Sequence, residues 1–437
     1  MKRRQFIQAG TISTFSILPS GLWANSPNGK LRSAHIGVGG KGATDTAQTA
    51  RHDQVEVAAI CDVDAKNLAR SQKLHPKARA FSDYRELFAA VGDSIDLVTV
   101  STPDHTHAAA AMTAMNLGKS VYCQKPLTHS IFEARMLRNK ARETGVSTQM
   151  GIQNQSRLEY LWATALIQSG TIGKVKRVHA WSYKQWGYDG PAFTASDPVP
   201  DTLAWDLWIG TAKPRPYVKG AYHPKNWRKQ ADFGTGTMGD MGVHIFDPPM
   251  LNLALSAPLS VRAQCRAPNG IGHPTKSSIE FEFAPTQYTA GPLTLTWTDG
   301  SLPAPHDDLV MPKGEKLPKQ GSMFVGEHGR MLLPHIASPQ FFPEEKFDGV
   351  KFPKQPRLDH YGSWIDKHLG NADAVCRASF EYAAQLTETV LVGGLACRFP
   401  GKKLMWDAAN MQFSNESAAN AFIKPNYRDG FGVAGLG

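Results

Sequence analysis

Nowhere does the sequence hold the roughly 18 consecutive apolar residues that a membrane-spanning helix needs, so the mature chain is expected to be soluble. No two cysteines form a C-x-x-C pair. The five present, Cys61, Cys123, Cys265, Cys376 and Cys397, are odd in number and widely spaced, so an oxidising compartment permits a disulfide without the sequence demanding one. No basic stripe runs beside a nucleic-acid motif. The formal charge of +10 is dispersed, which favours an anionic cofactor or general solubility over DNA or RNA. There is no repeat of solenoid period and no low-complexity tract. What is there, 41% apolar and 20% charged residues over 437 positions, is the composition of an ordinary globular chain long enough for two domains.

The chain opens MKRRQFIQAGTISTFSILPSGLWANSP. Arg3 and Arg4 stand side by side, a weakly apolar stretch runs from Ala9 to Trp23, and a small-residue cleavage point follows Ala24. This pattern resembles a twin-arginine export signal, so residues 1–29 are set apart as signal and leader. Passage through the export machinery and a periplasmic or otherwise exported location are expected. With Pro19 and Gly21 inside it, the stretch is too short and broken to be a permanent span.

Leu31 to Ile36 then has the character of a buried strand and runs into GVGGKG. Gly37, Gly39 and Gly42 form G-x-G-x-x-G where a helix would begin, with Gly40 between them. Such a turn needs glycine for a tight bend, for close approach of a pyrophosphate to bare backbone, and for helix–strand packing. A second β-rich run, Val55 to Ile60, leads to Asp62, 20 residues after Gly42, where a dinucleotide fold places the carboxylate that accepts hydrogen bonds from a ribose. That carboxylate repels a 2′-phosphate and favours NAD, while Lys66 and Arg70 nearby leave NADP open.

The alternation continues with a helix from Ala65 to Leu74, a strand from Leu97 to Ser101, a helix from His107 to Leu117 and a strand from Ser120 to Cys123. This predicts α/β architecture with a parallel, doubly wound sheet. Thr102 and Pro103 fall at a strand's carboxyl end, where such sheets bind ligands. His105 and His107 have no carboxylate or cysteine partner at metal spacing, so capping or cofactor contact is expected of them and no metal. In VYCQKPLTHS, Lys125 sits against Pro126 at a strand end, either as a surface charge at a turn or as an amine held for chemistry. In GTGTMGDMGVHIFD (234–247), Asp240 and His244 are four apart and share a face if the segment is helical. A carboxylate beside an imidazole suits a general base, and equally a structural pair at a helix start.

Together, GVGGKG with Asp62, STPDHTH with Pro103 and His107, VYCQKP and DMGVHIFD resemble the Gfo/Idh/MocA oxidoreductase family. The resemblance implies a Rossmann domain over 30–151 and a C-terminal α/β domain over 152–437. The second domain's open, mainly antiparallel sheet would bind substrate and mediate homo-oligomers. It implies a nicotinamide cofactor contacted by Gly37, Gly39, Gly40, Gly42, Asp62, Thr102, Pro103, His107, Gln124 and Lys125, and a catalytic set of Lys125, Asp240 and His244. Gln124 stands where the family has glutamate, which is expected to leave the Lys125 ammonium without a neighbouring anion. The reaction implied is NAD(P)-dependent oxidation or reduction at a hydroxyl or keto group of a sugar, glycoside or cyclitol. In it, Lys125 bonds the reacting oxygen, His244 takes the proton and Asp240 orients His244. An exported enzyme meets little free dinucleotide and should keep its cofactor tightly bound. That leaves a redox-neutral NAD-dependent glycosidase, working by transient oxidation and elimination, as one alternative and a non-catalytic sugar-binding protein as another.

Five of the ten tryptophans lie between positions 181 and 227, most of them expected in the core. His223, Trp227 and Arg228, in YHPKNWRK, and Gln153 and Asn154 at the domain junction are the expected substrate contacts. The C-terminal domain should hold a helix from Glu159 to Ser169, a set of strands, a proline-rich loop from Pro303 to Gln320 and a helix from Ala374 to Val392.

Overall fold

The computed structural model describes residues 29–301 and 303–437. The expected twin-arginine signal lies outside the described residues. Six strands form the first sheet: β1 (Leu31–Ile36), β2 (Val55–Cys61), β3 (Arg79–Phe81), β4 (Leu97–Val100), β5 (Ser120–Cys123) and β6 (Thr148–Met150). They pair in parallel in the order 3-2-1-4-5-6. Both faces are covered by helices, which is why β4 and β5 are buried at every position and read as near-continuous apolar runs. Strand order reverses between β1 and β4, so the chain ends leaving Ile36 and Val100 diverge into a crevice.

The helix after β4 begins at Asp104, directly behind Pro103, three residues earlier than expected. Pro103, with φ already fixed at −59°, opens the helix and places His105 and His107 in its first turn, not in a loop.

The second sheet has nine strands: β7 (Val175–Ser182), β8 (Ser260–Cys265), β9 (Ser277–Phe283), β10 (Thr289–Asp299), β11 (Gln320–Gly326), β12 (Arg330–Pro334), β13 (Gln340–Phe342), β14 (Lys403–Asp407) and β15 (Gln412–Phe413). Their order is 13-12-11-7-10-9-8-14-15, and the pairing is antiparallel except between β7 and β10. The period of two is visible in β9, where Ile279, Phe281 and Phe283 point inward and Ser278 and Glu280 outward. The inner face packs on the helices Leu158–Gln168, Val243–Asn252 and Phe380–Ala396, with Phe246 edge-on to Phe281 at 5.1 Å. On the outer face, the loop after β10 lays Leu309, Met311 and Leu317 over Trp181, Met323, Leu332 and Phe342.

The last long helix starts at Phe380 instead of Ala374 because the backbone before it is spent on the first sheet. Met150 N–H donates to the Ala378 carbonyl at 2.8 Å, and Phe380 N–H to Thr148 Oγ1 at 3.0 Å. The same helix carries Glu388, which takes the Arg135 guanidinium bidentately at 2.7 and 2.8 Å and ties the two domains together. No helix of the described residues is long and apolar enough to cross a membrane.

Between β7 and residue 234 the chain forms a largely irregular segment with its own core of Leu203, Trp208, Tyr217, Tyr222, Trp227 and Phe233. It reaches back to the first domain. Ala65 N–H donates to the Thr202 carbonyl at 2.8 Å, Ala204 N–H to the Val63 carbonyl at 2.9 Å, and His223 Nε2 lies 3.0 Å from Asp64 Oδ2.

Candidate active site

The glycine turn is built as its spacing predicts. Gly37 has φ +82°, and a Cβ on it would lie 2.7 Å from the Ser101 carbonyl oxygen; on Gly42 a Cβ would lie 1.9 Å from the Gly37 oxygen. Val38 and Gly39 N–H groups donate to Asp62 Oδ2 at 3.0 Å each, and Asp64 N–H to Oδ1 at 2.8 Å. Burial raises the Asp62 carboxyl in spite of these donors. Asp62 therefore shapes the turn as well as facing the crevice.

A cleft of about 710 Å³ runs along the strand ends, and Gly37, Gly39, Gly40, Asp62, Thr102, Pro103, Gln124 and Lys125 line it, with Lys66 and Arg70 at the Asp62 end. Bare backbone at a helix N-terminus, with a carboxylate at the end of β2, is a donor and acceptor set that fits a dinucleotide. Gly42 and His107 lie behind the lining. His107 spans two carbonyls, Pro126 from Nδ1 and Thr102 from Nε2 at 2.9 Å each, and so braces the turn that carries Lys125.

Gln124 has a local cause that the sequence pattern did not reveal. Its Nε2 donates to Asp45 Oδ2 at 2.9 Å. Asp45 is wholly buried and also accepts from Ser101 Oγ, Tyr361 Oη and Lys41 Nζ. A glutamate at 124 would set two carboxylates against each other. Nor is Lys125 left without an anion: its Nζ donates to Asp240 Oδ1 at 2.8 Å and to the Asp240 carbonyl at 2.7 Å.

Asp240 lies in a π-helical turn, Met238–Gly242, and His244 in the α-helix that follows. In the wider turn the residue one turn along is i+5, not i+4, and the expected Asp240–His244 contact is absent. Asp240 instead faces three cations, adding Arg228 Nε at 3.3 Å and Lys184 Nζ at 3.8 Å to Lys125. Burial alone would raise its carboxyl; Lys125 and Arg228 outweigh burial and hold it well below the usual carboxylate range.

His244 Nδ1 is buried with no hydrogen-bond partner among the described residues. Its neighbour is the His335 ring, 5.4 Å away between centroids. Burial first, then Lys125 and His335, push His244 well below the ordinary imidazole value, and burial with Lys184 and Lys125 pushes His335 to about 4. Both imidazoles are neutral at pH 7. His335 is held by Tyr160 Oη at 2.9 Å and approached by Asn154 Nδ2 at 3.5 Å. Gln153 Oε1 and the Trp186 indole N–H are also buried without partners among the described residues.

Of the expected substrate contacts, Asn154 and Arg228 join this cluster, and Gln153 lies in the same short turn as Asn154. Trp227 is 6% exposed and supports Arg228, whose guanidinium stacks on its ring at 4.2 Å. His223 is elsewhere, paired with Asp64. Lys184, His335 and Asp45 went unread. Lys184 and His335 are single polar residues beside strand ends with no motif around them, whereas Asp45, four after Lys41, carried an ion-pair spacing that could have flagged it. A His179–His306–Asp308 group on the second sheet has three donor atoms within 4.8 Å of one another, but Arg177 Nε lies 3.3 Å from the same Asp308 oxygen and occupies it with a cation.

A parallel 3-2-1-4-5-6 sheet with this glycine turn and acid, joined to a lysine–carboxylate pair supplied across the domain boundary, defines a two-domain dinucleotide-binding oxidoreductase. Residues 31–152 match the oxidoreductase family described as having an NAD-binding Rossmann fold, and residues 163–284 match the family's C-terminal α/β domain. The two matches together cover more than half of the chain, which belongs to the Gfo/Idh/MocA oxidoreductase family. Among curated relatives, a glycosyl hydrolase family 109 protein of Stenotrophomonas maltophilia is 27% identical over 239 residues, 52% of this chain and 48% of that one. An inositol 2-dehydrogenase of Gluconacetobacter diazotrophicus is 31% identical over 183 residues, 39% of this chain and 52% of that one. The matched stretches span about half the length of these relatives. Among solved structures, the WlbA dehydrogenase of Bordetella pertussis in complex with NADH and UDP-GlcNAcA superposes with a TM-score of 0.60 at 15% identity, covering 86% of this chain and 99% of that one. The aldose-aldose oxidoreductase of Caulobacter crescentus gives 0.56 at 15% identity, covering 86% and 99%. These likenesses are of fold.

Proposed function

We propose that the protein is an NAD-dependent oxidoreductase acting on a hydroxyl or keto group of a sugar, glycoside or cyclitol. The observation that carries this reading is the meeting of Lys125, from the Rossmann domain, with Asp240 and with a neutral His244 from the second domain whose Nδ1 has no partner among the described residues. The Lys125 ammonium has three N–H groups and spends two on Asp240, so one is left to donate to the reacting oxygen and stabilise alkoxide as it develops. His244, neutral with a ring nitrogen free, accepts the hydroxyl proton. Asp240 positions Lys125 rather than His244. A nicotinamide dinucleotide bound along the cleft supplies the hydride-accepting chemistry.

The Asp62 carboxylate supports NAD over NADP. The segment pinned by Thr202, Ala204 and His223 across the Asp62 end supports a tightly held cofactor, as an exported enzyme would need. Export to the periplasm through the twin-arginine route and pairing of copies through the exposed outer face of β8 and β9 in the second sheet belong to the same reading. The likeness to a glycosyl hydrolase family 109 protein favours, as a second reading, redox-neutral cleavage of a glycoside.

Purified protein incubated with a panel of sugars and glycosides, with bound-cofactor absorbance and products followed together, separates these. A ketosugar is expected. Free aglycone without net redox change would move the assignment to the second reading, and no change with any member would leave a binding protein. Lys125→Ala and His244→Ala are each expected to lower turnover by about 10²–10⁴-fold, and near-wild-type turnover in either would remove that residue from the mechanism.

A further inference from the structure

Around Asp240 the charges do not balance. Lys125, Lys184 and Arg228 all face its carboxylate, at 2.8, 3.8 and 3.3 Å, and among the described residues no other carboxylate pairs with any of the three. One negative charge is therefore surrounded by three positive ones. The imidazoles beside them do not supply the missing anion, since His244 and His335 are neutral.

Lys184 is the least satisfied of the three. At 3.8 Å its ion pair is too long to be a hydrogen bond, and its amine donates to no protein acceptor among the described residues. It lies two residues past the end of β7, and its side chain is 47% exposed, so the amine borders the open side of the cluster. Arg228 uses Nε on Asp240 and Nη1 weakly on the Lys225 carbonyl at 3.5 Å, and Nη2 has no acceptor among the described residues. Its guanidinium is held between aromatic rings, 4.2 Å from Trp227 and 5.5 Å from Trp186. A fixed, planar cation with one edge free beside a mobile ammonium is the arrangement that recognises an anionic group. The dinucleotide's own phosphates belong at the glycine turn; Arg228 lines the cleft that contains that turn and borders both regions, whereas Lys184, His244 and His335 are not part of that lining.

We propose that the substrate carries an anionic substituent, a carboxylate, sulfate or phosphate ester on the sugar, which is bound by Lys184 and Arg228 while Lys125 engages the reacting oxygen. This rests on reading the cluster as a carbohydrate site. Selectivity should be moderate, because Lys184 is half hydrated in the free protein and one charge-assisted contact there is worth about tenfold in affinity.

The test is equilibrium binding to the cofactor-loaded protein, followed by titration calorimetry. The probes are matched pairs: a methyl glucoside against its glucuronide, and N-acetylglucosamine against its 6-sulfate and 6-phosphate. At least one anionic member should bind about tenfold more tightly than its neutral partner, with a preference that shrinks as salt is raised. Lys184→Met should remove about tenfold of that preference and Lys184→Arg should keep it. The three anionic arms tell carboxylate, sulfate and phosphate apart. Equal binding within every pair, no binding of any anionic member, or an unchanged preference in Lys184→Met would overturn the proposal. Because binding is read without turnover, selective binding with no sugar oxidised would sink the oxidoreductase reading and leave this one standing. Oxidation of neutral sugars without anionic preference would do the reverse.

Discussion

The two ends of the candidate site, the cleft at the glycine turn and the cluster around Asp240, are built on opposite terms. At the dinucleotide end the protein completes its own hydrogen bonds: Asp62 accepts three backbone N–H groups, Asp45 accepts from Gln124, Ser101, Tyr361 and Lys41, and His223 pairs with Asp64. At the other end, His244 Nδ1, Gln153 Oε1 and the Trp186 N–H are buried without partners among the described residues, and three cations share one carboxylate. Leaving a buried polar group unpaired costs about 1–3 kcal/mol, so the second end is less stable by itself than it would be filled. The difference is that between a region whose polar groups the protein satisfies by itself and one that leaves donors and acceptors unmet among the described residues.

Three changes would break or sharpen the contrast. The largest effect is expected from Gln124→Glu, which puts a second carboxylate about 2.9 Å from Asp45 and should cost on the order of 3 kcal/mol at neutral pH. Asp45→Asn in the same chain should recover most of the loss. Chemical denaturation of the single and double variants at pH 7 measures both effects, and an unchanged midpoint for the single variant would contradict the pairing.

The second change acts at the open end. His335 is pushed to about 4 from an ordinary value of 6.5, so between those values the unfolded chain takes up a proton that the folded protein refuses. Stability from this group is present above pH 6.5 and is lost as pH falls towards 4. His335→Gln should make the pH dependence of unfolding shallower in that window by up to about 1.4 kcal/mol per pH unit, read from denaturation midpoints at pH 7, 6 and 5. The smallest effect belongs to His223→Ala. Removing its bond to Asp64 should speed release of bound cofactor roughly two- to tenfold, seen by dilution into a cofactor trap, while leaving the unfolding midpoint within about 1 kcal/mol of wild type.

Much of the dinucleotide end was legible in the sequence because its chemistry is local and periodic. Glycines at fixed offsets, an acid at the end of the next strand and apolar runs of strand length point to one sheet, and the structure has that sheet. The open end was half legible. Lys125, Asp240, His244 and Arg228 could be picked out, but not the way they pair, and Lys184 and His335 could not, since Lys184, Arg228 and His335 reach Asp240 and His244 from three separate stretches of chain. The segment from 184 to 233 has aromatic residues without a period, and its core forms only when rings from distant positions close together. The helix expected from Ala374 was delayed because its first residues bond to the edge of another domain's sheet, a competition that propensity does not record.

The π turn at Met238–Gly242 makes the frame of the second domain's site an additive one. An α-helix that gains a single residue without unwinding takes it up as such a turn, and everything on one side is rotated by about 100° relative to the other. Asp240 and His244 are therefore set by two phases of one helix and not by one, so that a carboxylate faces the lysine while an imidazole four residues on faces the His335 ring. Removing one residue from the turn would leave His244 with its own neighbours and swing Asp240 off its three cations: the carboxylate and the imidazole are indexed independently along a single rod.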